Sequence, residues 1–310
     1  MKHEILALVP GAPAIDGPDC FRVKRAEGAT AILVPMKSRV LTGKALRRHR
    51  LSAAARRQAW LEALMPAGPV LAFAPGARIK SDEVPALVRA NRVLLDSLTE
   101  RLQGRVQFQI SVSWTEEEVL TRFRTAPEIA PLFAGPTVAS ADLTRAVSAL
   151  AARLSRTIAA HLAPVACDIA DLPLDTGMVT NHVVLVRSER EPDLDSALEA
   201  IDAIWTEGFT IRQIGPAPAS SFATLRLRRH RPREVKRAHQ CLGLSGAPTD
   251  ADIQRARQAC LRMPDVDAAQ IRHATRLSFA AHVTGSGEDV LLLDQWSEGQ
   301  ATWPKLERVA

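Results

Sequence analysis

From Arg105 to Trp114 apolar and polar side chains alternate without a break. Val106, Phe108, Ile110, Val112 and Trp114 fall on one side of a period-two pattern, which predicts a strand with one buried face. Upstream, "HEILALV" at 3–9 and "TAILVPM" at 30–36 are short continuous apolar runs that read as buried strands, separated by a Pro- and Gly-rich turn region. A basic helix follows, with Leu46, Leu51, Trp60, Leu61 and Leu64 in an imperfect helical pattern that weakens near Ser52, and "PVLAFAPG" at 69–76 returns as a strand. From Ser81, read as an N-cap, Val84, Leu87, Val88, Leu94, Leu98 and Leu102 mark the apolar face of one helix closed by Gly104. The first unit therefore reads β-β-α-β-α.

After the alternating strand, Pro-punctuated chain at 125–137 leads to a helix with Leu143, Val147, Leu150, Leu154 and Ile158 at three- and four-residue spacing. "VTNHVVLVR" reads as a strand, Leu194, Leu198, Ile201 and Trp205 as one face of a helix ended by Gly208, and "FTIRQI" and "SFATLRLR" as two further strands. That order, β-α-β-α-β-β, is close to a split βαβ, ferredoxin-like layout. Past Pro232 a Thr249-capped helix carries Ile253, Ala256 and Cys260, "MPD" breaks it, and a second helix from about Asp267 carries Ile271, Ala274 and Leu277. The run "VLLLDQW" and a tail close the chain. The expected fold class is α+β: two α/β-sandwich-like domains, 1–104 and 105–231, the second ferredoxin-like, and a small C-terminal helical hairpin with its tail at 232–310.

With 310 residues and 46% hydrophobic content the chain is long enough for a sizeable core. No apolar run approaches the roughly 18 residues needed to span a bilayer, and the run at the start is ended by Pro10, too short for a secretory signal, so a cytoplasmic location is expected. Cys20, Cys167, Cys241 and Cys260 are widely spaced with no CxxC pair, which argues for reduced thiols rather than a disulfide framework or zinc ribbon.

Local motifs for chemistry are absent. Gly43-Lys44 has Ser38 where a P-loop needs glycine and Ala45 where it needs Ser or Thr, and HExxH, GxSxG and GxGxxG do not occur. His239, Cys241, Cys260, His273 and His282 collect near the C-terminus at spacings that match no common zinc pattern. Asp193/Asp195 and Asp265/Asp267 sit at helix starts, where carboxylates cap amides. No catalytic residue, metal or cofactor is expected.

The net charge of +6 is modest, but eight Lys or Arg fall between Lys37 and Arg57 and seven between Arg226 and Arg237. Arg226, Arg228, Arg229, Arg231 and Arg233 form a candidate basic face. Neither cluster carries interleaved aromatics, and the chain has no tyrosine, so a solvated face or an acidic protein partner is favoured over nucleic acid.

One corner points further. Between two predicted strands "IRQIGPAPASSF" presents Gly215, Pro216, Pro218, Ser221 and Phe222, which resembles the Gly-Pro-Trp-Pro-Pro-Tyr-Ser-Phe closing motif of the GvpL/GvpF family of gas vesicle proteins; Ala217, Ala219 and Ser220 depart from it, so its bulky aromatics are absent. Val70, Leu71 and Gly76 resemble that family's strand-turn, and the helix 81–102 followed by "LQGRVQFQISVSW" its leucine-rich helix and alternating strand. The resemblance spans roughly residues 3–228. It implies a non-enzymatic accessory protein of gas vesicle assembly, chaperone-like, found in the cytoplasm or at the vesicle. Its partners would be the hydrophobic shell subunit, whose nucleation it would aid, and other accessory proteins. The corner itself reads either as a rigid turn that fixes strand register or as a partner-binding edge. The segment from Cys241 to Val283 resembles a J-domain, with "LGL", a Thr-capped helix and Pro-Asp at the turn, but Met263 replaces the histidine of His-Pro-Asp. Two alternatives stay open: a nucleic-acid-binding or regulatory protein using 226–237, and a chaperone co-factor acting through the J-like tail.

Overall fold

The computed structural model describes residues 2–15, 17–35, 43–134, 139–263, 266–285 and 287–297. The first half of the chain runs β1 (Lys2–Pro10), β2 (Arg22–Ala26), β3 (Ala29–Pro35), α1 (Gly43–Glu62), β4 (Leu71–Phe73), β5 (Arg78–Lys80), α2 (Val84–Ala90), α3 (Arg92–Leu102), β6 (Arg105–Trp114), α4 (Glu116–Arg122) and α5 (Ser140–Leu162). It continues with β7 (Ala166–Asp171), β8 (Met178–Arg187), α6 (Glu191–Asp202), β9 (Phe209–Ala217), β10 (Thr224–His230), α7 (Pro232–Cys241), α8 (Asp250–Leu261), α9 (Ala268–Thr284) and β11 (Val290–Trp296). The fold is mixed α+β, as expected. It forms two units, one joining Met1–Gln103 to Ala223–Trp296 and the other built on Gly104–Phe222.

The first unit holds a seven-stranded sheet in the order β11-β10-β4-β1-β3-β2, with β5 beside β1. β10 runs parallel to β4, and the other pairings are antiparallel. The apolar runs of β1 and β3 are buried because both sheet faces are covered there. Leu6, Ile32 and Val34 pack with Leu61, Leu64 and Val70 in one cluster. Arg57 of α1 acts as a bracket on this layer, donating to Glu4 Oε1 at 2.8 Å and to the carbonyl of Phe73 at 2.5 Å. Part of the basic cluster read from the sequence is thus a half-buried clamp, while residues 36–42 lie outside the described residues.

A second cluster of the same unit gathers Leu242, Ile253, Ile271, Leu277, Val290 and Leu292 from α8, α9, β11 and the end of α7. Two expectations change here. β10, assigned to the second domain, pairs along its whole length with β11, from Thr224↔Trp296 to His230↔Val290, so the boundary expected at 231 falls inside the first unit's sheet. The helices beyond Pro232 are therefore no appendage: α9 packs on α2, α7, α8 and β11. An alternating strand such as "TLRLRRH" suits the edge or middle of any sheet, and its partner lies dozens of residues downstream, so local pattern alone does not choose between sheets.

The helix expected from Ser81 to Leu102 is two helices broken at Asn91, whose backbone leaves the helical region at φ −118°. Its side chain ties the end of α2 to β11. Nδ2 donates to the carbonyls of Leu87 at 2.8 Å and Leu291 at 2.9 Å, and Oδ1 accepts from the amide of Leu293 at 2.8 Å. Leu291 and Leu293 belong to β11, the terminal strand of the sheet order, so a buried amide satisfies the outer backbone groups of an edge strand.

The second unit is a four-stranded antiparallel sheet in the order β7-β8-β6-β9. α5 buries Ala146, Leu150, Leu154, Ile158 and Leu162, and α6 buries Leu194, Ala197 and Ile201. The fourth strand expected from 221–228 is replaced by β7, which the sequence pattern missed. β7 is a mostly exposed edge strand with no apolar run to mark it.

Candidate functional site

The corner singled out in the sequence lies at the end of β9. Gln109 pairs with Ile214 and Gln107 with Ala217, so Gly215 and Pro216 together stand opposite Phe108 in a β-bulge. The peptide bond between Gly215 and Pro216 is cis. Glycine is required at 215: φ is +148°, and a Cβ would lie 2.6 Å from Phe108 Cδ1 and 2.8 Å from the carbonyl oxygen of Gln107. The turn beyond is held from β6, where Gln107 Oε1 accepts from the Ser221 amide at 3.0 Å and Gln107 Nε2 donates to Ser221 Oγ at 3.4 Å. Pro218 and Phe222 are buried, the latter 2% exposed, while Pro216 is exposed. Geometrically the motif is a packed corner beside a bulge in the ladder between β6 and β9. The surface it leaves open is β9 itself, a terminal strand exposed from Arg212 to Pro216, with Ile214 44% exposed.

The basic face does not form as one surface. Strand alternation sends Arg226 and Arg228 to one side of β10 and Arg229 to the other. Arg226 stacks over Trp296 at 5.2 Å, and Arg228 Nε meets Asp294 at 2.6 Å, a carboxylate that Arg276 also contacts at 3.2 Å. Arg229 grips both oxygens of Glu83 at 2.8 and 2.9 Å and reaches Asp289 at 3.5 Å. The Arg229 hydrogen bond holds the Glu83 carboxyl below its ordinary range, and the same bond raises Arg229. Arg231 precedes α7, its backbone amide donating to Glu234 at 2.7 Å, and Arg233 is exposed. Three of these five arginines thus meet a carboxylate or a ring within the fold.

A polar chain escaped sequence reading. Ser155 of α5 donates to Thr180 at 3.1 Å, Thr180 meets His182 Nε2 at 2.5 Å, and His182 Nδ1 meets Asp171 at 2.7 Å. Hydroxyl, imidazole and carboxylate follow the order of a nucleophile triad. Thr180 is 1% exposed and His182 4%, so the hydroxyl is sealed from substrate and the chain serves to satisfy a polar core. The strand period of two between Thr180 and His182 was its only sequence signal.

The C-terminal Cys and His side chains do not converge. His273 packs against His230 with ring centroids 5.4 Å apart, Cys260 Sγ lies 4.0 Å from the Cys241 carbonyl, and His282 lies 3.9 Å from Asp250. Among the described residues no group of three or more His, Cys, Asp or Glu could hold a metal ion. Thr249 caps α8 by accepting from the Asp252 amide, and Asp267 caps α9 by accepting from Ala269 at 2.8 Å. Met263 is exposed, and Pro264 and Asp265 of the J-like turn lie outside the described residues. No helix among the described residues is long and apolar enough to cross a membrane.

Burial lowers the pKa of His230, His239 and His273, with Glu234 and Asp294 opposing and Arg228 assisting at His230 and His273. A lowered folded pKa means that the unfolded chain takes up protons first as pH falls. Stability is complete above the ordinary value of about 6.5 and declines below it until the folded imidazoles themselves titrate. We expect a lower melting temperature at pH 5.5 than at pH 7.5, with the difference reduced in the His273→Phe variant. Equal melting temperatures at both pH values in the parent would contradict this.

Comparison with known proteins fixes the family. Residues 9–224 match the model of the gas vesicle synthesis protein GvpL/GvpF family. The chain belongs to the GvpL/GvpF family. The crystal structure of the gas vesicle protein GvpF from Anabaena sp. PCC7120 superposes with a TM-score of 0.51 at 15% identity, covering 70% of this chain and 96% of the other. That of GvpF from Microcystis aeruginosa gives 0.52 at 18% identity over the same shares. No curated protein matches. For this GvpL/GvpF chain the matched stretch takes in the whole corner and stops at Thr224, the first residue of β10. The strand and helices beyond it complete the first unit's sheet and core all the same.

Proposed function

We propose that this chain is a non-enzymatic accessory protein of gas vesicle assembly that binds the hydrophobic shell subunit, keeps it from aggregating and aids vesicle nucleation, in the cytoplasm or at the growing vesicle. The observation that carries the reading is the family match over residues 9–224. The order β7-β8-β6-β9 with α5 and α6 as crossovers supports a split βαβ, ferredoxin-like second unit, and this layout leaves β9 at an edge. We assign the capture surface to β9, because an edge strand offers unpaired amides and carbonyls together with exposed Ile214, the combination that recruits an aggregation-prone chain by strand addition. Arg226, Arg228 and Arg229 are engaged within the fold, so the basic run 226–237 gives less support to a nucleic-acid role.

Co-expression of the full chain with the shell subunit, followed by pull-down and assay of soluble subunit, tests the reading. We expect a complex with the parent chain and about tenfold weaker capture by Ile214→Lys, the change expected on losing one apolar anchor at an interface. No complex with the parent chain overturns the assignment to shell binding; equal capture by Ile214→Lys removes β9 as the surface.

A further inference from the structure

Four strands stand at the ends of the two sheet orders: β11 and β2 in the first unit, β7 and β9 in the second. Asn91 meets outer backbone groups of β11, and β9 carries one charged residue, Arg212. The other two edges are charged throughout and opposite in sign. β2, "RVKRA", presents Arg22, Lys24 and Arg25, all exposed, with Val23 40% exposed among them. β7, "ACDIAD", presents Asp168 and Asp171, both exposed, and has no cation of its own.

These charges are largely unspent within the fold. Among the described residues the side chains of Arg22, Lys24 and Asp168 form no hydrogen bond or ion pair. Arg25 donates to the Pro13 carbonyl at 3.3 Å, and Asp171 meets His182 Nδ1 while its side chain stays 84% exposed.

Like charges along an exposed edge oppose its pairing with an identical edge. The cations of β2 therefore disfavour β2 against β2 of a second copy, and the carboxylates of β7 disfavour β7 against β7, whereas β2 against β7 sets opposite charges together. The two strands also match residue by residue. Laid parallel, "RVKR" at 22–25 and "DIAD" at 168–171 place Arg22 beside Asp168, Val23 beside Ile169 and Arg25 beside Asp171. In the reverse direction two Arg–Asp pairs persist but Lys24 falls beside Ile169, so the apolar pair selects the parallel one. Both stretches are regular: β2 pairs with β3 in unbroken register, and β7 with β8 from Asp168 to Asp171.

We propose that this chain associates with a second copy of itself by strand addition, β7 of one copy docking in parallel on β2 of the other. The contact is heterologous, so each added copy leaves one free edge of each kind and assembly continues as concentration rises. It leaves β9 open and does not depend on shell capture.

The test is sedimentation of the full chain from about 5 to 500 µM in low and high salt, a range suited to the weak contact that so short a ladder makes. We expect the average mass to rise with concentration above that of one chain, and association to weaken about tenfold between about 20 mM and 500 mM salt, since the pairs are exposed to solvent. Arg22→Asp and Asp168→Arg each set like charges together and should each associate about tenfold more weakly than the parent. An equimolar mixture of the two should recover the parent's association, because every contact between unlike variants again joins opposite charges. The mass of one chain at every concentration would overturn the proposal, as would association indifferent to salt and to both substitutions. A mixture that associates no better than its components would overturn the pairing of β2 with β7.

Discussion

Replacing Asn91 by aspartate is expected to lower the stability of the first unit by about 2–5 kcal/mol, because two carbonyls lose their donor and face a buried carboxyl group instead. Asn91 is 5% exposed and makes three hydrogen bonds, two of them to β11, some two hundred positions away in the chain. Only a carboxamide of this size can donate to the carbonyls of Leu87 and Leu291 while accepting from the amide of Leu293, so neither Asp nor the isosteric Leu replaces it. In thermal denaturation the loss should appear as a melting temperature lower by about 5–15 °C for a unit of this size. Asn91→Ala should fall in the same range, since the Leu293 amide and Leu291 carbonyl remain buried without partners. A change of under about 1 °C in both variants would show that the edge of β11 is satisfied in some other way.

Gly215→Ala is expected to destabilise the second unit by about 2–5 kcal/mol, from the combined cost of a left-handed backbone and an overpacked contact. The added methyl would sit 2.6 Å from the Phe108 ring and 2.8 Å from a backbone oxygen. The ring can shift but the backbone oxygen of Gln107, fixed in the β6 ladder, has little room to move. Phe108→Leu combined with Gly215→Ala should therefore recover only part of the loss relative to Phe108→Leu alone, measured as a double-mutant cycle by denaturant unfolding. If Gly215→Ala melts with the parent chain, the bulge opposite Phe108 does not depend on glycine and the corner loses its structural explanation.

These two positions show where sequence reading reaches and where it stops. The Gly-Pro-x-Pro corner is visible as rigid punctuation, and its residues do form a packed turn, but the reason for glycine lies in Phe108, on a strand more than one hundred positions earlier. Asn91 is hidden within an apparently continuous helical face, since Val84, Leu87, Val88, Leu98 and Leu102 are buried on both sides of the break. Its function is to meet backbone groups of a strand that local pattern placed in a closing tail.

By itself the sequence determined what depends on neighbours in the chain. The period-two run of β6, the buried runs of β1 and β3, the apolar faces of α5 and α6 and the Thr249 and Asp267 caps are set by side chains within a few residues of one another. Tertiary structure decided which sheet receives each strand. β10 joins β4 and β11 rather than β6 and β8, the exposed β7 becomes a strand because β8 offers it a ladder, and the arginines of β10 are divided between two faces and met by Glu83 and Asp294. The physical reason is that a strand's hydrogen-bonding edge is chemically the same whatever its sequence, so the choice of partner is made by burial and closure over the whole chain.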